Sequence, residues 1–169
     1  MRHSMIPLNT SEALLTKSRR SPTSWRNSKT RLLTKMLDEK KLRKLYEVNP
    51  FNQTIGGKIL DIQEGYAKGS LPIDERYYNV YSGMHGGCLF SLADSICGIA
   101  AATYGHYVTT LNGNINYLVP AKDCKEVICE AKVIRMGRTI GVIDYTLTGD
   151  NGVLFATGTF NYYALKEEL

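Results

Sequence analysis

The stretch GGCLFSLADSICGIAAATYG, from Gly86 to Gly105, restricts the fold more than any other part of the chain. It is a helix-length run with a single carboxylate, Asp94, and no Lys, Arg or Glu to face water. At 100° per residue, Leu89, Leu92, Ile96, Ile99, Ala100 and Thr103 fall within about 100° of arc, the width of a face that packs on a sheet. The other side, with Phe90, Ser91, Asp94, Cys97, Gly98 and Ala101, is mostly small. An exposed helix face normally carries Lys and Glu, so this side is expected to be covered too, most simply by a second subunit. Such a helix belongs at the centre of a fold.

After Gly105 the apolar period changes from helical to two. YVTTLNGNINYLV alternates Leu111, Ile115, Tyr117 and Val119 against Thr110, Asn112, Asn114 and Asn116, which puts Thr110 off the apolar face, and Pro120 ends the strand. Three more strand-like runs follow, EVICEAKVIRM, TIGVIDYTLT and VLFATGTFNYYAL. They are joined by Gly137–Arg138 and by GDNG, a strong hairpin-turn signal. Upstream, KILDIQEGYAKGSLPI reads as a hairpin of two short strands punctuated by Gly65 and Gly69, and DERYYNVYSG as the loop that delivers the chain to the helix. Helix formers dominate from Lys29 to Val48, with Asn49 and Pro50 as the stop. The sum is an α+β fold: an antiparallel sheet wrapped around one long central helix, with an extra N-terminal helix.

The 169 residues suit a single domain, expected over 29–169, preceded by a flexible basic tail at 1–28 that is rich in Ser, Arg and Thr. The net charge of +5 belongs to that tail. Eight of the 21 basic residues and one of the 16 acids lie in residues 1–35, which leaves 13 against 15 for the rest, no footprint for nucleic acid. No apolar run reaches the roughly 18 to 20 residues of a membrane span, and a cytoplasmic protein is expected. The Arg- and Ser-rich start also suits an organelle transit peptide, and Met36, where the charge balance changes, is an alternative start. Cys88, Cys97, Cys124 and Cys129 show no metal-ligand or disulfide-scaffold spacing and read as buried free thiols. With only three histidines to help, no metal is expected.

The chemistry concentrates at the start of the helix. Glycines there leave backbone N–H groups unobstructed, and the helix dipole makes them attractive to developing negative charge. Asp94, ionised at neutral pH, is a base or nucleophile without special tuning. Amide donors plus a carboxylate suit acyl transfer, such as hydrolysis of an ester or thioester.

Three segments in order, NVYSGMHGGCLFSLADSICG, NINYLVPA and VIRMGRTIGVIDYTLTGDNGVLFATGTF, give the chain a family likeness over roughly Ile55 to Tyr163. It resembles the hotdog-fold thioesterases of the phenylacetate-pathway (PaaI) type, within the 4-hydroxybenzoyl-CoA thioesterase superfamily. The resemblance implies that the Gly86 N–H serves as the oxyanion hole and that Gly87 keeps the approach clear. Asp94 then activates water or attacks the carbonyl, and Asn79 hydrogen-bonds the water or substrate. His85 fixes Asn79 and the loop, and Thr110 falls where some relatives place a serine that positions the nucleophile. Arg138 becomes a candidate contact for the phosphates of coenzyme A. The resemblance also implies a site formed between subunits of a homo-oligomer, a dimer or a dimer of dimers (a homotetramer), with acyl-CoA as substrate and no cofactor.

Each residue also has a plainer role: His85 as a helix cap, Asp94 as a carboxylate satisfied by backbone or Ser95, Asn79 as a turn residue, Arg138 as solvated hairpin charge. The function expected is metal-free, Asp-dependent hydrolysis of an acyl-CoA thioester. The alternatives are a non-catalytic acyl-CoA-binding sensor on the same fold, a hotdog dehydratase, whose histidine-centred helix motif is not found, and tail-driven association with nucleic acid or membrane.

Overall fold

Asp38 opens the first element by accepting the Lys41 N–H on its side chain at 3.0 Å, and α1 runs Glu39–Glu47 with Leu42 and Tyr46 buried. The computed structural model describes residues 38–169. The tail expected at 1–28 and the start of the helix expected from Lys29 lie outside the described residues. Asn49 and Pro50 end α1 as expected, but they also begin a second short helix. Pro50 takes the first position of α2, Pro50–Ile55, where its missing N–H is harmless. The Asn49 side chain caps the Phe51 N–H at 2.9 Å, and Gly56 ends the helix with a left-handed φ of 76°.

The sheet has six strands: β1 (Lys58–Gln63), β2 (Tyr66–Pro72), β3 (His106–Tyr117), β4 (Glu126–Met136), β5 (Ile140–Gly149) and β6 (Leu154–Glu168). All pairs are antiparallel, in the order β1-β2-β4-β5-β6-β3. The central helix α3, Gly86–Ala102, lies between β2 and β3 in the chain and touches every strand. The expected architecture of a sheet wrapped on one helix is therefore present. The period of two reports correctly on β4, β5 and β6, whose inward residues Val127, Cys129, Ala131, Ile143, Tyr145, Leu147, Phe160 and Tyr162 are buried against α3. No helix among the described residues is long and apolar enough to cross a membrane.

In two places the structure corrects the sequence reading. The first is the face of α3 expected to need a second subunit. Cys97 and Ala101, both 0% exposed, are sealed within the chain. Phe90 packs on Phe160 of β6, ring centroids 4.9 Å apart. What stays open or partly open on that side is a stripe, Gly87, Ser91, Asp94 and Gly98, spaced four, three and four residues apart.

The second correction concerns Thr110. Alternation put it off the apolar face, yet it pairs with the buried Tyr162, while Asn112 pairs with the next residue, Asn161. Leu111 is thus an extra residue, a β-bulge, and the alternation changes sense across it. Thr110 faces the helix, and so do Gly113, Ile115 and Tyr117 beyond the bulge. Asn112 and Asn161 bond each other on the outer face, Nδ2 to Oδ1 at 2.7 Å.

Candidate active site

His85 stands at the N-cap of α3, and its Nδ1 accepts the Gly87 N–H at 2.9 Å. Its carbonyl accepts from Cys88 at 2.9 Å. The Gly86 N–H, one residue into the helix, is left without a partner among the described residues, with the positive end of the helix dipole behind it. Through Nδ1 the His85 side chain caps the helix, the plainer of the two roles expected for it. Gly87 spends its N–H on that cap, and a Cβ there would sit 3.0 Å from the His85 ring.

Asn79 is a turn residue with a spare donor. Its Oδ1 accepts the Tyr81 N–H at 2.8 Å and the Gly83 N–H at 3.3 Å, an arrangement that fixes the amide's orientation. The turn is closed by Asn79 N–H to the Gly83 carbonyl at 2.8 Å and holds Ser82 at a left-handed φ of 59°. The Asn79 Nδ2 is left with no partner among the described residues. Asn79 and Gly86 line one cavity of about 530 Å³, walled by Tyr81, Met84, Leu89, Tyr117, Leu118 and Val119 and reaching Lys122. An apolar pocket lined by two residues that each keep an unspent N–H donor suits a carbonyl at the end of an apolar group.

Tyr117 makes this geometry specific to glycine. Its hydroxyl donates to the Gly86 carbonyl at 2.8 Å, and its ring stands 2.8 Å from where a Gly86 Cβ would be.

Asp94 lies two turns further along α3. Its Oδ1 accepts from the Thr110 hydroxyl at 2.8 Å and from the Tyr162 hydroxyl at 2.8 Å, and Tyr162 also donates to the Asp94 backbone carbonyl at 2.5 Å. Ser95 is not its partner, since that hydroxyl donates to Asn52 at 2.9 Å. The structure thus unites Asp94 with Thr110, and Asn79 with Gly86, but holds the two pairs apart. Eight residues of helix put about 12 Å of axial rise between Gly86 and Asp94. Arg138 is exposed in the β4–β5 turn, outside the cavity and separated from Ala121 on its wall by the length of β4.

Tyr162 was not legible as a site residue. In NYYAL it reads as one more apolar position of a strand, and only the register of β6 on α3 brings its hydroxyl to Asp94. Tyr117 was hidden in the same way. Among the described residues no group of three or more His, Cys, Asp or Glu is placed to hold a metal.

A six-stranded antiparallel sheet wrapped on one long helix is the hotdog fold. Residues 81–156 match the family described as Thioesterase superfamily. The acyl-coenzyme A thioesterase PaaI of Escherichia coli is 28% identical over 100 residues, covering 59% of this chain and 71% of its own. The solved structure of E. coli PaaI matches in fold with a TM-score of 0.71, at 23% identity over 74% of this chain and 91% of that one. A thioesterase family protein of Silicibacter pomeroyi matches with a TM-score of 0.70 at 27% identity, covering 75% and 96%. The smu.793 protein of Streptococcus mutans, solved bound to acetyl CoA, matches with a TM-score of 0.62 at 27% identity, covering 64% and 88%.

Proposed function

We propose that the protein hydrolyses acyl-CoA thioesters to a carboxylic acid and CoA, at a site completed by a second copy of the chain. The observation that carries this reading is the partnerless Gly86 N–H on the wall of an apolar cavity, on the same helix as a carboxylate held by hydroxyls. The substrate class is supported by the acyl-CoA thioesterase relative and by the neighbour solved with acetyl CoA.

In this mechanism the thioester carbonyl oxygen sits against the Gly86 N–H and the Asn79 Nδ2. Asp94 takes a proton from water as water attacks the carbonyl carbon, or attacks that carbon itself and is freed by water in a second step. In either case the C–S bond breaks, the sulfur leaves as thiolate and is protonated, and one water is consumed. The amides stabilise the oxyanion where charge develops, which is usually the largest electrostatic contribution in acyl transfer.

One chain cannot bring its own Gly86 and Asp94 to one carbonyl across about 12 Å. A twofold pairing of two helices side by side sets each amide against the other copy's carboxylate. The open stripe of Gly87, Ser91, Asp94 and Gly98 lets a second chain approach. β3 is an edge strand, with Leu111 on it and Leu118 and Val119 just beyond it 42–53% exposed, the kind of edge that proteins pair rather than leave bare. A homo-oligomer, a dimer or a dimer of dimers, follows.

The test is thiol release from short, medium, long and aryl acyl-CoAs by the purified chain. Release above background supports the reading. Tight acyl-CoA binding with no release from any of them overturns it in favour of a sensor.

A further inference from the structure

We propose that Tyr162 is a positioning residue for this reaction: with Thr110 it holds Oδ1 of Asp94 and leaves Oδ2 as the reacting oxygen. The proposal rests on the thioesterase reading for its kinetic consequences, and on geometry for the rest.

Two hydroxyls donate to the same carboxylate oxygen, Thr110 from β3 and Tyr162 from β6, each at 2.8 Å. Oδ2 has no donor among the described residues. The Tyr162 hydroxyl also reaches the Asp94 carbonyl at 2.5 Å, so it bridges the main chain and the side chain of one residue and fixes the rotamer between them. The hydroxyl carries a single proton, shared between the Asp94 carbonyl and Oδ1, so one donor ties the carboxylate to its own main chain. A tyrosine serving only the core needs no carboxylate among its acceptors.

The hydroxyl is delivered from a rigid place. Tyr162 is 2% exposed, its ring packs 3.6 Å from the Cβ position of Gly98, one turn beyond Asp94, and Phe160 lies beside it with centroids 6.0 Å apart. Burial first, then the nearby Cys97 and Asp94, push the Tyr162 hydroxyl far above the ordinary tyrosine range, so it stays protonated and acts as a donor. The nearby Cys97 thiol is itself pushed well up by burial and so neutral.

Tyr162→Phe keeps the ring and removes the donor. The expected result is a fall in kcat of about tenfold or more with KM within about twofold, the pattern of an interaction felt in the transition state. Thr110→Val gives the same pattern and Thr110→Ser restores most of the activity.

A second readout needs no turnover: in a crystal structure of Tyr162→Phe the Asp94 side chain leaves the rotamer that holds Oδ1 against Thr110. If the parent releases no thiol from any acyl-CoA, the hydrolysis reading fails while this structure still decides the tyrosine. An unmoved Asp94 carboxylate in Tyr162→Phe overturns the proposal, as does an unchanged kcat in an active enzyme. If Tyr162→Phe does not fold, 4-aminophenylalanine introduced at 162 keeps a ring and an N–H donor and retains most of the parental kcat, and a loss of kcat there overturns the proposal.

Discussion

The Tyr117 ring occupies the space that a Gly86 side chain would need, while its hydroxyl donates to the Gly86 carbonyl at 2.8 Å. Gly86→Ala therefore forces the ring aside. Tyr117 is half exposed and able to move, so the fold survives and the thermal midpoint changes little. The carbonyl site moves with the ring, and kcat/KM falls about 10- to 100-fold, the lower part of the scale for a disturbed oxyanion donor. A thermal melt and acyl-CoA kinetics on the same preparation check both halves.

Asp94→Ala removes the carboxylate and reduces turnover by at least about 10²-fold, the usual scale for a positioned acid or base. The inactive protein then reports on assembly. Unfolded and refolded together in equal amounts, Asp94→Ala and Gly86→Pro chains regain activity if one copy's amide works with the other's carboxylate. Random pairing makes half of the dimers mixed with one intact site in two, about a quarter of parental activity. No recovery means that each site belongs to one chain.

Gly158 lies where β5, β6 and β3 meet. A Cβ there would clash with the Asn114 carbonyl oxygen and lie 2.6 Å from the Tyr145 hydroxyl, which donates to that carbonyl at 2.8 Å. Backbone cannot yield as a side-chain tip does, so Gly158→Ala costs more than about 2 kcal/mol of folding stability. Tyr145→Phe, which removes only the hydrogen bond, costs about 1 kcal/mol. Urea titrations that rank the two variants the other way round contradict this account.

The protein is expected to be labile in alkali. Burial pushes the Tyr46 hydroxyl up to about 12 and raises Tyr145, Tyr162, Cys97 and Cys129 above their usual ranges. Below the unfolded-state values, near 9 for Cys and 10 for Tyr, both states hold these protons and stability is complete. As pH rises past them, the unfolded chain ionises while the folded one does not. Each buried group then withdraws about 1.4 kcal/mol per pH unit, until its folded value is reached. Urea midpoints measured at pH 8 and pH 10.5 show the drop, and equal midpoints refute it.

The order of elements was legible in the sequence because the period of the apolar residues changes sharply at Gly105, from a helix with no charged face to strands closed by Pro120 and GDNG. The glycines at the helix start and the isolated Asp94 stood out for the same reason, as departures from the pattern around them. The Asn49–Pro50 pair reads as a stop alone, since a six-residue helix is too short to show a period. Tyr162 and Tyr117 act through hydroxyls on side chains that otherwise obey the apolar pattern. Only the packing of strand on helix reveals their partners. Asn79 keeps both of its readings, one end of its amide closing a turn and the other free.

The bulge at Leu111 makes the aim of Thr110 depend on counting. Deleting that one leucine would keep both hydroxyl and carboxylate in the chain, yet restore plain alternation across the pair with β6. Either the threonine or everything beyond it would then turn over. Length at this point thus guards the chemistry as strictly as residue identity does, and a relative one residue shorter here would have to find its donor elsewhere.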